Sequence, residues 1–145
     1  MKKSNRLSVL VKIEEAKERE EARKLTEYLK IVQDNKQKLI YLEGYLEEYR
    51  TRFMDLTHHG AEAGKIRASY AFISQLNTAI SQQQETVQEL ELAVDEYRQN
   101  WLQAKQRMEI LERTISKFRD AEQRHDQKME QLNADELVQH KRRTD

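Results

Sequence analysis

The fold is decided by the stretch Ile66-Arg67-Ala68-Ser69-Tyr70-Ala71-Phe72-Ile73-Ser74-Gln75-Leu76-Asn77-Thr78-Ala79-Ile80 and its continuation. Counting by sevens from Ile66 gives Ile73, Ile80, Val87, Val94, Trp101, Met108, Ile115, Glu122, Met129 and Glu136, so that nine of the eleven positions are apolar. Three residues beyond each lie Ser69, Leu76, Gln83, Leu90, Tyr97, Ala104, Leu111, Phe118, His125, Leu132 and Gln139, seven of them apolar. A seam with this spacing supercoils helices around one another. A disordered chain would not hold the register so long, even though 36% charged residues would suit disorder.

Toward the N-terminus, the seam is interrupted at Thr57-His58-His59-Gly60-Ala61-Glu62-Ala63-Gly64-Lys65, which holds two of the three glycines. Gly60 suits the left-handed position that ends a helix. Before it, Leu25, Tyr28, Val32, Asn35, Leu39, Leu42, Leu46, Tyr49, Phe53 and Leu56 step alternately by three and four. Further upstream the same register meets Glu14, Glu18 and Glu21, so residues 12–24 are expected to pack loosely. The expected fold is all-α: two long helices in an antiparallel coiled-coil hairpin, the second longer. Residues 1–145 form one domain, with arm one at 4–57, the loop at 58–65 and arm two at 66–140.

Placing Leu56 opposite Ile66 sets Tyr49 against Ile73, Leu42 against Ile80 and Tyr28 against Val94. Asn35 and Gln83 then fall in adjacent layers, either as a register-fixing polar pair or as tolerated polar residues. The first arm is used up near residues 115–119 of the second. The last ~20 residues then project as a helix with Met129 and Leu132 still in the seam, either a docking element or a frayed end.

Composition narrows the chemistry. With no proline, no cysteine and three glycines, turn-rich sheet folds, disulfide scaffolds and thiolate sites are excluded. The longest apolar runs, 39–42 and 70–73, are too short to span a membrane, and no apolar core follows the basic N-terminus as a secretory signal requires. His58, His59, His125 and His140 make no ligand set of helical spacing, and Gly60 to Lys65 is no phosphate loop. No metal, cofactor or catalytic residue is expected, and a narrow two-helix rod offers no cavity for an enzyme.

Two surface features remain. Lys2, Lys3, Arg6 and Lys12 precede any acid, and Lys141, Arg142 and Arg143 close the chain. A hairpin brings both basic segments toward one end, for solubility or for an acidic partner. The neutral body, read without a basic stripe, argues against nucleic acid. Tyr45 and Phe72 each stand one residue before a seam position, and Ala79 follows Phe72 by one heptad. With Leu42 and Leu76 at its border, this apolar flank either binds a partner or widens the seam.

These residues resemble the FliJ family of flagellar type III export proteins. The resemblance rests on Leu42-x-x-Tyr45-x-x-x-Tyr49-Arg50, the short loop, and Phe72-x-x-x-Leu76-x-x-Ala79-Ile80. Trp101 with Lys105-x-Arg107-x-x-x-Leu111, and Asp126-Gln127-Lys128-Met129-Glu130, extend it along nearly the whole chain. It implies a cytoplasmic, monomeric coiled-coil stalk that enters the hexameric ring of the export ATPase FliI, which works with its regulator FliH. It also implies binding to the cytoplasmic domain of the export gate FlhA, escort of export chaperones, and only indirect association with the cytoplasmic face of the inner membrane. The family's gate surface carries over onto Leu42, Tyr45, Tyr49, Phe72, Leu76 and Ala79; Lys38 and Gln83 depart from its pattern. By analogy with rotary stalks, Lys2, Lys3, Arg6, Lys141, Arg142 and Arg143 would form the tip that enters the ring. The stalk of a virulence secretion system and a structural coiled-coil adaptor remain as alternatives.

Overall fold

The structure, a computed structural model, describes residues 2–144. Two α-helices account for nearly all of them: α1, Lys3–His58, and the longer α2, Ala63–Thr144, packed against α1. No strand occurs among the described residues. The absence of proline lets both helices run without interruption, and local ion pairs such as Arg23–Glu27 and Lys17–Glu14 support the exposed faces. Most of the stabilisation comes from burying the seam.

The link is tighter than residues 58–65, because His58 stays in α1 and Ala63, Gly64 and Lys65 already belong to α2. Gly60, with φ of 69°, takes the expected left-handed position. The amide of Ala61 then donates to the carbonyl of Leu56 at 3.1 Å, closing the end of α1 in a Schellman turn. Leu56 and Ala61 line one hollow there. Across the link, the carbonyl of Glu62 accepts from the amides of Lys65 and Ile66 and starts α2. At the far end α2 continues past 140 to Thr144.

The contacts divide the chain into two units. The link unit comprises Ala22–Asn100, and the terminal unit comprises the chain up to Glu21 and from Trp101 onward. In the link unit, Leu46, Leu76 and Ile80 form a buried cluster against which Leu39, Leu42, Tyr49 and Ile73 pack. The expected partners Tyr49 and Ile73, and Leu42 and Ile80, thus share one core. Val32, Val87 and Val94 extend it. The ring of Tyr28 stacks on Tyr97 with centroids 4.3 Å apart, one seam position beyond Val94. Gln83, only 8% exposed, donates from Nε2 to both the carbonyl and the Oδ1 of Asn35, at 2.9 and 3.0 Å. Asn35 donates in turn to the carbonyl of Ile31. The two polar residues therefore form a connected pair across the seam, and burial leaves their interaction satisfied.

In the terminal unit the seam is more polar. Ala104 and Ile115 are buried, but Glu14, Glu18 and Glu21 occupy half-buried seam positions on α1. Glu18 accepts a hydrogen bond from the indole Nε1 of Trp101 at 2.8 Å, while Oε2 of Glu14 is buried without one. Pairing does not stop at 115–119, because Ser4 reaches Glu122 and Lys2 reaches Asp126. These polar contacts carry the packing beyond the last apolar layer. From Gln127 to Thr144 every residue of α2 is exposed, so an extension of about the expected length exists although pairing runs past 119.

Candidate protein-interaction surfaces

The link unit carries the aromatic flank. Tyr45 and Phe72 are 55% and 39% exposed, although each stands next to a residue of the closed core. The Phe72 ring packs on Tyr49 with centroids 4.4 Å apart, and the Arg52 guanidinium lies 5.3 Å over the other aromatic partner, Tyr49. These contacts hold Phe72 in place while leaving part of its ring uncovered. Leu42, Tyr49 and Ala79 are half-buried. Leu76 is buried in the core at 7% exposure, so it supports the flank from beneath instead of presenting a side chain to a partner.

Tyr41 belongs to the same side of α1. It is 62% exposed and stands one helical turn before Tyr45, which puts the two rings on one face of α1. The spacing of four was legible in the sequence.

The terminal unit carries the basic residues. At the start of α1, Lys2 pairs with Asp126 at 2.7 Å, and Lys3 lies 5.6 Å over the ring of Phe118. Arg6 is exposed. Cations at a helix N-terminus oppose the helix dipole, and no acid stands in the first turn. The carboxylate of Glu122 from α2 compensates. It accepts from the Ser4 amide at 3.2 Å and from the Ser4 hydroxyl at 2.6 Å. One helix thereby caps the other, and Ser4 is buried at 3% exposure. The hydrogen bond from Ser4 holds the Glu122 carboxyl below its ordinary range, and the bond and charge of Lys2 do the same for Asp126. Lys2 is pushed up in turn by Asp126. Lys141, Arg142 and Arg143 occupy the exposed last turn of α2, where the dipole favours them.

Among the described residues no group of histidine and acidic side chains is arranged to hold a metal ion. No described helix is long and apolar enough to cross a membrane.

Two long helices packed against each other, with no strand among the described residues, define a helical-hairpin, coiled-coil type of protein. The family of flagellar FliJ proteins matches residues 2–144, and the chain belongs to that family. Membership makes it a component of the flagellar type III export apparatus. No curated protein and no solved structure matches the chain.

Proposed function

We propose that this chain is a coiled-coil stalk of the flagellar export apparatus that binds the export ATPase FliI, promotes its ring assembly and turnover, and links it to the gate protein FlhA. The observation that carries the reading is the exposed aromatic flank of Tyr41, Tyr45 and Phe72 over a core that is already closed. Uncovered aromatic surface beside a satisfied core is what a protein contact consumes. The gate domain takes this flank. The ATPase ring, which acts with its regulator FliH, takes the basic helix ends of the terminal unit, Lys2, Lys3, Arg6 and Lys141 to Arg143. The extension from Gln127, with Met129 and Leu132 at 45% and 48% exposure, is the place for export chaperones. The protein works as a monomer in the cytoplasm, at the inner face of the membrane when assembled.

The family match favours the flagellar reading over a virulence-system stalk. Gate binding is tested by Tyr45→Ala combined with Phe72→Ala. Both rings are partly exposed, so helicity should hold while affinity for the gate domain falls at least tenfold. Unchanged affinity would remove the flank from the contact. A structural adaptor would instead sediment as an obligate dimer or larger and leave ATP hydrolysis by FliI unaffected.

A further inference from the structure

The seam of the terminal unit has two flanks of different chemistry. On one, Ser8, Lys12 and Glu15 share a groove with Glu112, Ser116 and Arg119. Acids and bases mix there. On the other, α1 presents Lys3, Arg6, Leu10, Ile13 and Lys17 within about 80° of arc at 100° per residue. On the same side, α2 presents Arg107, Ile110, Thr114, Lys117, Ala121 and Arg124 within about 100°. The two arcs adjoin, since Lys3 lies over Phe118 and lines a hollow with Ala121 and His125. Neither arc contains an acid over these spans. A chain of zero net charge thus concentrates six bases on one flank. Between them stand three exposed aliphatic side chains, Leu10 at 46%, Ile13 at 47% and Ile110 at 60%. Lys17 also reaches the seam residue Glu14 at 3.4 Å.

We infer that this flank binds the surface of an anionic lipid bilayer directly. Bases ringing short aliphatic side chains match the boundary between lipid phosphates and acyl chains, where the charges meet the headgroups and the aliphatics enter a little way below. A protein partner is the poorer fit. The flank has no exposed aromatic anchor, and its arginines Arg6, Arg107 and Arg124 stand exposed, whereas protein interfaces are usually anchored by aromatic rings and by arginine in pockets. Nucleic acid would use the bases and leave the aliphatics idle. The inference goes beyond the indirect membrane association that the family resemblance implies. Lys3 and Arg6 belong both to this flank and to the basic end assigned to the ATPase, so the two engagements compete.

The test is co-sedimentation of the full chain with vesicles of about one third phosphatidylglycerol in phosphatidylcholine, beside vesicles of phosphatidylcholine alone. Binding is expected to the first only and should weaken as salt is raised. Lys117→Glu with Arg124→Glu should weaken it at least tenfold. Leu10→Gln with Ile110→Gln should weaken it severalfold without loss of helicity. Lys12→Glu with Arg119→Glu, the same charge change on the mixed flank, should leave it nearly unchanged. No sedimentation with anionic vesicles would overturn the inference, as would an equal loss from the mixed-flank variant. Full binding by the aliphatic variant, with displacement by an acidic polypeptide or by DNA, would assign the flank to an acidic macromolecule instead. The assay contains neither ATPase nor gate, so its failure leaves the proposed stalk function standing.

Discussion

Two polar contacts between the helices carry most of the information that single residues hold. Gln83 and Asn35 were legible as a possible pair because seven-residue counting puts them in neighbouring layers. Their hydrogen bonds were not, since a seam position says nothing about side-chain rotamers. Polar seam residues fix register at a cost in stability. Replacing both partners, Asn35→Leu with Gln83→Leu, should therefore raise the free energy of unfolding by about 1 kcal/mol in urea titration; a loss of similar size would mean that the pair stabilises outright. The cap that Glu122 places on Ser4 is not legible in the sequence, where Glu122 stands only as a break in the apolar seam. Its carboxyl and that of Asp126 titrate below their ordinary values, so the contribution of these contacts is present above the ordinary carboxylate range and lost as pH falls through the lowered values. Lys2 is raised, so its contribution holds below the ordinary lysine value and is lost only at strongly alkaline pH. The hydrogen-exchange protection factors of the amides of Ser4 to Ser8, with the intrinsic pH dependence of exchange divided out, should fall as pH drops below the ordinary carboxylate range, and Glu122→Gln should abolish most of that response. Protection factors that do not change with pH in the parent chain would show that the cap does not hold this turn.

At the scale of elements, both helices and their order followed from periodicity alone, because the apolar repeat is long and no proline interrupts it. Their ends did not. The link proved shorter than the cluster of turn-compatible residues around Gly60, since Ala63 to Lys65 can continue a helix as readily as a loop. Two glycines with opposite demands make this testable. Gly44 lies inside α1 with nothing within 4 Å of an added Cβ, so Gly44→Ala should stabilise by about 0.5–1 kcal/mol. Gly60 sits at φ of 69°, so Gly60→Ala should destabilise by roughly 1–2 kcal/mol. Equal effects in thermal unfolding would contradict the Schellman turn. The basic flank of the terminal unit was illegible for a different reason. Its halves lie about ninety residues apart in sequence, and each alone looks like ordinary surface charge; only the pairing of the helices joins them.

For the whole molecule, the two units differ in how they are held. The link unit has an apolar cluster and a satisfied polar pair, whereas the terminal unit sets Glu14 and Glu18 against the seam of α2. Buried carboxylate oxygens weaken packing there. Amides of residues 5–20 should exchange faster than those of 30–50, with residues 127–144 fastest; uniform protection along α1 would contradict this. The aromatic flank was legible because Tyr45 and Phe72 stand beside seam positions, but the burial of Leu76 required the packed core. The most direct measurement is ATP hydrolysis by the export ATPase FliI, with and without equimolar chain. Stimulation accompanied by ring formation is expected, retained in Tyr45→Ala with Phe72→Ala and lost when Lys141, Arg142 and Arg143 are changed to Glu. No stimulation by the parent chain, with no co-sedimentation of the two proteins, would contradict it.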